Sequence, residues 1–258
     1  MPLKAPTAQK VPHKTQTHKT KRLDNYHWMR LSDQQKESKK KDEQTKDVLS
    51  YINKENAYTK SICNGTEKLQ KKLFKEIIGR IKKDDERIPY KYNGYWYITK
   101  LKKGKEYPIY YRKKGSMKAK PELLLDVNKL AKGHDYFDLR FSGLNISLDN
   151  NILVYALDTN GRRNYDLIFI NLKTGKILKD RISKTDGNGV WANDNNTLFY
   201  IKNDPITLLG DKVFKHRIGT KTTKDQLVYE EKDKTLYSLD FWPSGVLEIC
   251  LVPFSGAK

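Results

Sequence analysis

Cysteine is nearly absent. Cys63 and Cys250 are the only two in 258 residues, far apart in the chain and with no second cysteine near either, which excludes a disulfide framework and a cysteine-based zinc site on count alone. Cys63 follows Ile62 near the end of a helical pattern and reads as a small packed hydrophobe rather than a reactive thiol. Long apolar runs are missing too. No stretch approaches the length of a membrane span, and the first thirty residues hold no apolar signal region. The expectation is a soluble, cytoplasmic chain with no membrane partner. Three glycosylation sequons, at Asn64, Asn145 and Asn195, then read as chance matches. There is no Gly-x-Ser-x-Gly elbow, no phosphate-cradling glycine loop and no paired-histidine ligand motif. No catalytic, cofactor-binding or metal-ligating residue is therefore assigned, and no cofactor is expected.

Acidic residues are outnumbered, 31 against 51 Lys and Arg, for a formal charge of +20. Such a surplus suits phosphate neutralisation. The lysines are nevertheless scattered, the longest run is Lys39-Lys40-Lys41, and no helix-turn-helix, zinc-finger or RNA-recognition pattern accompanies them. A solvated basic surface is the reading, with no nucleic-acid partner.

What the chain does contain is ordered. Residues 1 to about 20 are rich in Pro, Lys and Thr and hold almost nothing to bury, so they are expected to run extended, with His13 and His18 exposed. Asp24, Tyr26, Trp28 and Arg30 then fall at alternate positions, which suggests an extended arm docking its aromatics on a larger body. From Asp42 to Ile62 a three-to-four spacing of Val48, Leu49, Tyr51, Ile52, Tyr58 and Ile62 predicts an amphipathic helix. A second begins near Asn64, where Asn64 and Glu67 resemble a capping box; its stripe is Leu69, Leu73, Ile77 and Ile81, widened by Phe74 and Ile78. Two such faces need a partner, and the polar arm before them does not look like one.

A charged link, Lys82 to Arg87, follows. Its Asp84/Asp85 pair reads as solvated rather than as a metal or acid–base site, because no third ligand lies at a useful spacing. From Ile88 to Val127 the period becomes extended. Asn93-Gly94 is a tight-hairpin signal between Tyr90/Tyr92 and Tyr95-Trp96-Tyr97-Ile98; Lys103-Gly104 turns the chain again, Tyr107 to Arg112 is a third run, and Leu123 to Val127 a short apolar fourth. Four short strands in about forty residues have the size of one propeller blade. The unit recurs: Asp149-Asn150-Asn151 precedes Ile152 to Tyr155, and Asp194-Asn195-Asn196 precedes Thr197 to Tyr200, 45 residues on. His134, beside Asp135 and Phe137, reads as a blade-linking histidine with no nucleophile assigned to it.

The segments Asp24 to Arg30 (DNYHWMR), Tyr51 to Tyr58 (YINKENAY), Arg80 to Tyr90 (RIKKDDERIPY), Tyr95 to Arg112, Leu125 to Phe137 (LDVNKLAKGHDYF), Gly161-Arg162, Trp191 to Tyr200 (WANDNNTLFY) and Leu227 to Glu231 (LVYEE) resemble the N-terminal region of the prolyl oligopeptidase family of serine peptidases, in order and spacing most like its oligopeptidase B branch. The resemblance covers about residues 8 to 237 and implies a mainly β fold: a partial β-propeller, about three four-stranded blades of a seven-bladed whole, preceded by an extended arm and two helices. It divides the chain into an arm and helical segment (1–82) that packs on a hydrolase domain, a partial propeller (83–237) and an atypical tail (238–258). Ser147-Leu148-Asp149 departs from the Ser-Pro-Asp usual at that turn. The implied function is that of a gate admitting short peptides to a serine endopeptidase whose triad follows the propeller, so this chain is expected to be inactive alone. Its ending, from Ser238 to Lys258, loses the lysine bias and reads as the out-of-register end of a truncated product. The alternative from another class is a stand-alone propeller-like binding module that closes by oligomerising.

Overall fold

The computed structural model describes residues 3–17, 19–140, 145–232, 236–243 and 249–255, with residue 17 and the last two segments described by backbone alone. His18 and most of the tail beyond 243 lie outside the described residues. The chain divides into two compact units, Met1–Lys82 and Lys83–Lys258, taken here one at a time.

In the first unit the residues expected to run extended fold back instead. β1 (His13–Thr17) pairs antiparallel with β2 (Thr20–Asp24), and a single 3-10 turn follows at His27–Met29. The alternation of Tyr26 and Trp28 is therefore not that of a strand: the Asp24 carboxylate accepts from the Tyr26 amide at 2.9 Å and starts the turn. His13 is exposed, as expected, and stacks on His27 with centroids 3.8 Å apart. α1 (Asp33–Glu37) opens on a capping box of Ser32 and Gln35. α2 (Glu43–Ile62) opens on Asp42, which accepts from the Thr45 amide at 2.8 Å.

The polar arm does partner α2. Trp28 sets its ring edge-on to Tyr51 at 6.2 Å, its indole N–H donates to the Gln9 carbonyl, and Gln44 of α2 donates to the Trp28 carbonyl. α3 (Glu67–Arg80) does not start at Asn64: Thr66 is its N-cap, and the Thr66 hydroxyl is turned away to the Cys63 carbonyl. Gly65, at φ +93°, forces the tight turn between the helices, and Cys63 caps α2 exposed rather than packed. α3 has no buried residue; its whole predicted stripe, from Leu69 to Ile81, is exposed.

The second unit holds three stacked blades. In blade one, β3 (Asp85–Glu86) and β4 (Tyr90–Tyr92) together form the inner strand against β5 (Tyr95–Leu101), followed by β6 (Ile109–Lys114) and β7 (Glu122–Asp126). The charged link is thus partly strand. Pro89 divides the inner strand because it brings no amide to the ladder. Val127, expected to close the fourth strand, instead begins the single turn α4 (Val127–Leu130).

Blade two is β8 (Asp138–Arg140), β9 (Ile152–Asp158), β10 (Tyr165–Asn171) and the first half of β11 (Lys176–Trp191). The second half of β11 is the inner strand of blade three, pairing with β12 (Thr197–Asn203), which leads to β13 (Gly210–Arg217) and β14 (Gln226–Glu230). One strand thus leaves the rim of one blade and enters the heart of the next, with Thr185 pairing on both sides at the crossing. β15 (Leu236–Pro243) and β16 (Ile249–Ser255) form a further antiparallel pair.

The stacking follows from a period of two. Along β9, Leu153 and Tyr155 enter a cluster with Tyr97, Leu124 and Leu125 of blade one, while Val154 and Ala156 enter one with Trp191, Leu198 and Tyr200 of blade three. A strand apolar on both faces is buried on both faces. A large apolar side chain such as Leu153 or Val154 contributes about 1.5–3 kcal/mol of burial, so the blades stabilise one another face to face.

Candidate functional site

The equivalent hairpins of the three blades turn at Asn93, Asn150 and Asn195, all in the left-handed region at φ +44°, +63° and +57°. Asparagine tolerates that region through its short polar side chain. The hairpins are also joined to each other. Asn93 Nδ2 donates to the Leu148 carbonyl at 2.6 Å, Asn150 Nδ2 to the Asn93 carbonyl at 3.2 Å, and the Asp149 amide to Asn195 Oδ1 at 2.7 Å. Arg112 of β6, 4% exposed, adds a bond to the Asn150 carbonyl while pairing with Glu122 at 2.7 Å and lying over the Tyr95 ring. Beneath the turns, burial opposes ionisation of Asp149, but bonds from the Ser147 hydroxyl and from Asn151 outweigh it and hold the carboxyl below its usual range. Asp194 is lowered in the same way, against burial, by Thr197 and the Asn196 amide. The Ser147-Leu148-Asp149 turn therefore closes without proline, Ser147 Oγ accepting from the Ile152 amide and donating to Asp149.

At the opposite end of blade two the loop after β9 is built on Asp158, 1% exposed, which accepts from the amides of Asn160, Gly161 and Arg163. Gly161, at φ +74°, lies over the Tyr136 ring, where a Cβ would sit 3.5 Å from it. Nearby, the Tyr165 hydroxyl donates to Asp138, and burial followed by that bond pushes the phenol up to about 12.

A third cluster had no signal in the sequence beyond a histidine among strands. His216 of β13 has no exposed surface; its Nδ1 lies 2.7 Å from Asp225 and its Nε2 3.1 Å from Asp180 of β11. Tyr200 donates to the other oxygen of Asp225, and the Gly219 amide to Asp180. The arrangement superficially matches an acyl-transfer pair of histidine and carboxylate. The second nitrogen, however, faces a second carboxylate where a nucleophile would have to stand. The cluster therefore ties the outer strand of blade two to blade three and offers nothing to a substrate.

The other residues considered from sequence are scattered. The Asp84 carboxylate accepts from the Lys103 amide at 2.8 Å and so staples a turn, and Asp85 is in β3. His134 is exposed, with Phe137 6.0 Å away. Cys250 lies in β16. Among the described residues no group of three or more His, Cys, Asp or Glu could hold a metal ion, and no helix is long and apolar enough to cross a membrane.

Comparison with known proteins gives a consistent picture. The sequence model described as "Prolyl oligopeptidase, N-terminal beta-propeller domain" matches residues 6–244. The chain is 39% identical over 248 residues to dipeptidyl aminopeptidase BI of Pseudoxanthomonas mexicana, covering 90% of this chain and 33% of that protein. It is 28% identical over 244 residues to protease 2 of Moraxella lacunata, with coverage of 90% and 33%. Its fold is similar to that of oligopeptidase B from Leishmania major, with a TM-score of 0.81 at 27% identity, over 96% of this chain and 36% of that one. The chain thus spans about a third of the length of these relatives.

Proposed function

Because the chain belongs to the prolyl oligopeptidase family and corresponds to its N-terminal β-propeller domain, we propose that it is the gating part of a serine peptidase acting on short peptides. The chemistry, in this reading, resides in sequence equivalent to the other two-thirds of the relatives' length. Three blades packed face to face, the second and third of them sharing the strand β11, carry the proposal, because a stack of blades makes the wall of a passage and supplies no reacting group. The exposed stripe of α3 is, in the same reading, where the catalytic domain seats. Contiguous apolar surface of that kind marks an interaction face. The segment 1–82 is proposed as the part that meets that domain, 83–237 as the gate, and 238–258 as a segment outside the gate's repeat.

The test is complementation. The 258-residue chain is mixed with the remaining two-thirds of the Pseudoxanthomonas relative, and hydrolysis of a short fluorogenic peptide amide is compared with that of a large denatured polypeptide. The chain alone is expected to give no turnover; the mixture is expected to discriminate in favour of the short substrate. Turnover by the chain alone, abolished by a serine-directed phosphonate, would overturn the assignment of roles. A mixture that neither associates nor changes size selection would overturn the gate.

A further inference from the structure

The bonds among the inner hairpins run between blades, not within them. Asn93 of blade one reaches the Leu148 carbonyl of blade two, and the Asp149 amide of blade two reaches Asn195 of blade three. Both joints carry further ties. Arg112 crosses the first joint to the Asn150 carbonyl at 3.0 Å. At the second, the Trp191 indole donates to the Asn145 carbonyl at 3.2 Å, and His216 reaches Asp180. Each joint also holds its own apolar cluster. A polar tie across a close-packed interface opens only if the packing opens with it.

We propose that the first three blades are clasped into one rigid arc by the asparagines of their inner hairpins, with no hinge at either joint. Any widening of a passage walled by these blades then takes place outside the arc. The two clasps differ in chemistry. At Asn93 the side-chain amide donates, whereas at Asn195 the side-chain oxygen accepts, so a carboxylate fails at the first position and serves at the second. Glycine keeps the positive φ at both and removes only the side chain.

Hydrogen exchange of the full 258-residue chain, resolved by residue or short peptide, tests this. In the unsubstituted chain β5, β9 and β12 are expected to exchange slowly and together. Asn93→Gly and Asn93→Asp are each expected to speed exchange about tenfold or more in both β5 and β9. Asn195→Gly does the same in β9 and β12 and exposes the Asp149 amide, while Asn195→Asp leaves that amide protected. Asn160→Gly, which removes only a bond to the Arg162 amide in its own loop, is the control and is expected to act on residues 158–165 alone. Three results would each overturn the proposal: effects confined to the substituted hairpin, equal damage from Asn195→Asp and Asn195→Gly, or an unsubstituted chain with no slow amides in these strands. None of them bears on peptidase activity, so the gate and the arc fail separately.

Discussion

The two ring nitrogens of His216 face carboxylates on opposite sides, Asp225 at 2.7 Å and Asp180 at 3.1 Å. Glutamine carries both of its N–H donors on one nitrogen and cannot reach the two acids from opposite sides as the ring does, so one buried acceptor loses its partner, at a cost of about 1–3 kcal/mol. His216→Gln is therefore expected to lower the unfolding free energy measured in urea by that amount, with β13 and β14 losing protection first; a loss well under about 1 kcal/mol would show the cluster to be solvated. Gly187 is the other sensitive residue. It sits at φ +91°, and a Cβ there would lie 2.8 Å from the Tyr165 ring and 2.9 Å from the Arg140 side chain, so Gly187→Ala should cost about 1–3 kcal/mol in the same measurement. Neither residue announces itself in sequence. The partners of His216 are 36 residues before it and 9 after, and only the course of β11 from one blade into the next brings Asp180 within reach.

Among the elements, legibility tracks how local the cause is. The blade hairpins were readable because Asn-Gly and Asp-Asn-Asn dictate their own turns and the 45-residue spacing repeats them. The limits of α2 were readable because Asp42 caps its own helix. The arm departs from the expectation because alternation of Tyr26 and Trp28 mimics a strand, whereas Asp24 starts a turn at Tyr26 and Trp28 seats on α2. The two aromatic faces of the first unit make opposite predictions. Trp28→Ala removes the Tyr51 contact and the bond to Gln9 and should cost about 1–3 kcal/mol. Phe74→Ser in α3 removes a side chain that is 65% exposed; stability should stay within about 0.5 kcal/mol while binding of an apolar dye falls. A large loss from Phe74→Ser would mean that α3 is covered within this chain.

For the whole molecule the controlling quantity is charge. At +20 the chain already repels itself, and full protonation of its carboxylates would leave 51 Lys and Arg without counter-charge. Two of those carboxylates, Asp149 and Asp194, hold equivalent turns in successive blades and have lowered pKa values. A carboxyl group lowered on folding stabilises the fold above its unfolded value of about 4, and that contribution is lost as pH falls through the folded value. Acid should therefore loosen blades two and three from their inner turns while general repulsion pushes in the same direction. Salt separates the two causes, because it screens exposed charges and hardly touches hydrogen bonds inside a turn. Titrated from pH 6 to 2 and followed by circular dichroism, the chain is expected to unfold with a midpoint that added salt lowers. The double variant Asp149→Asn/Asp194→Asn should be less stable at pH 7 and flatter below pH 4, with its salt response unchanged. If the variant keeps the full acid slope, the turns contribute nothing and repulsion alone governs acid stability.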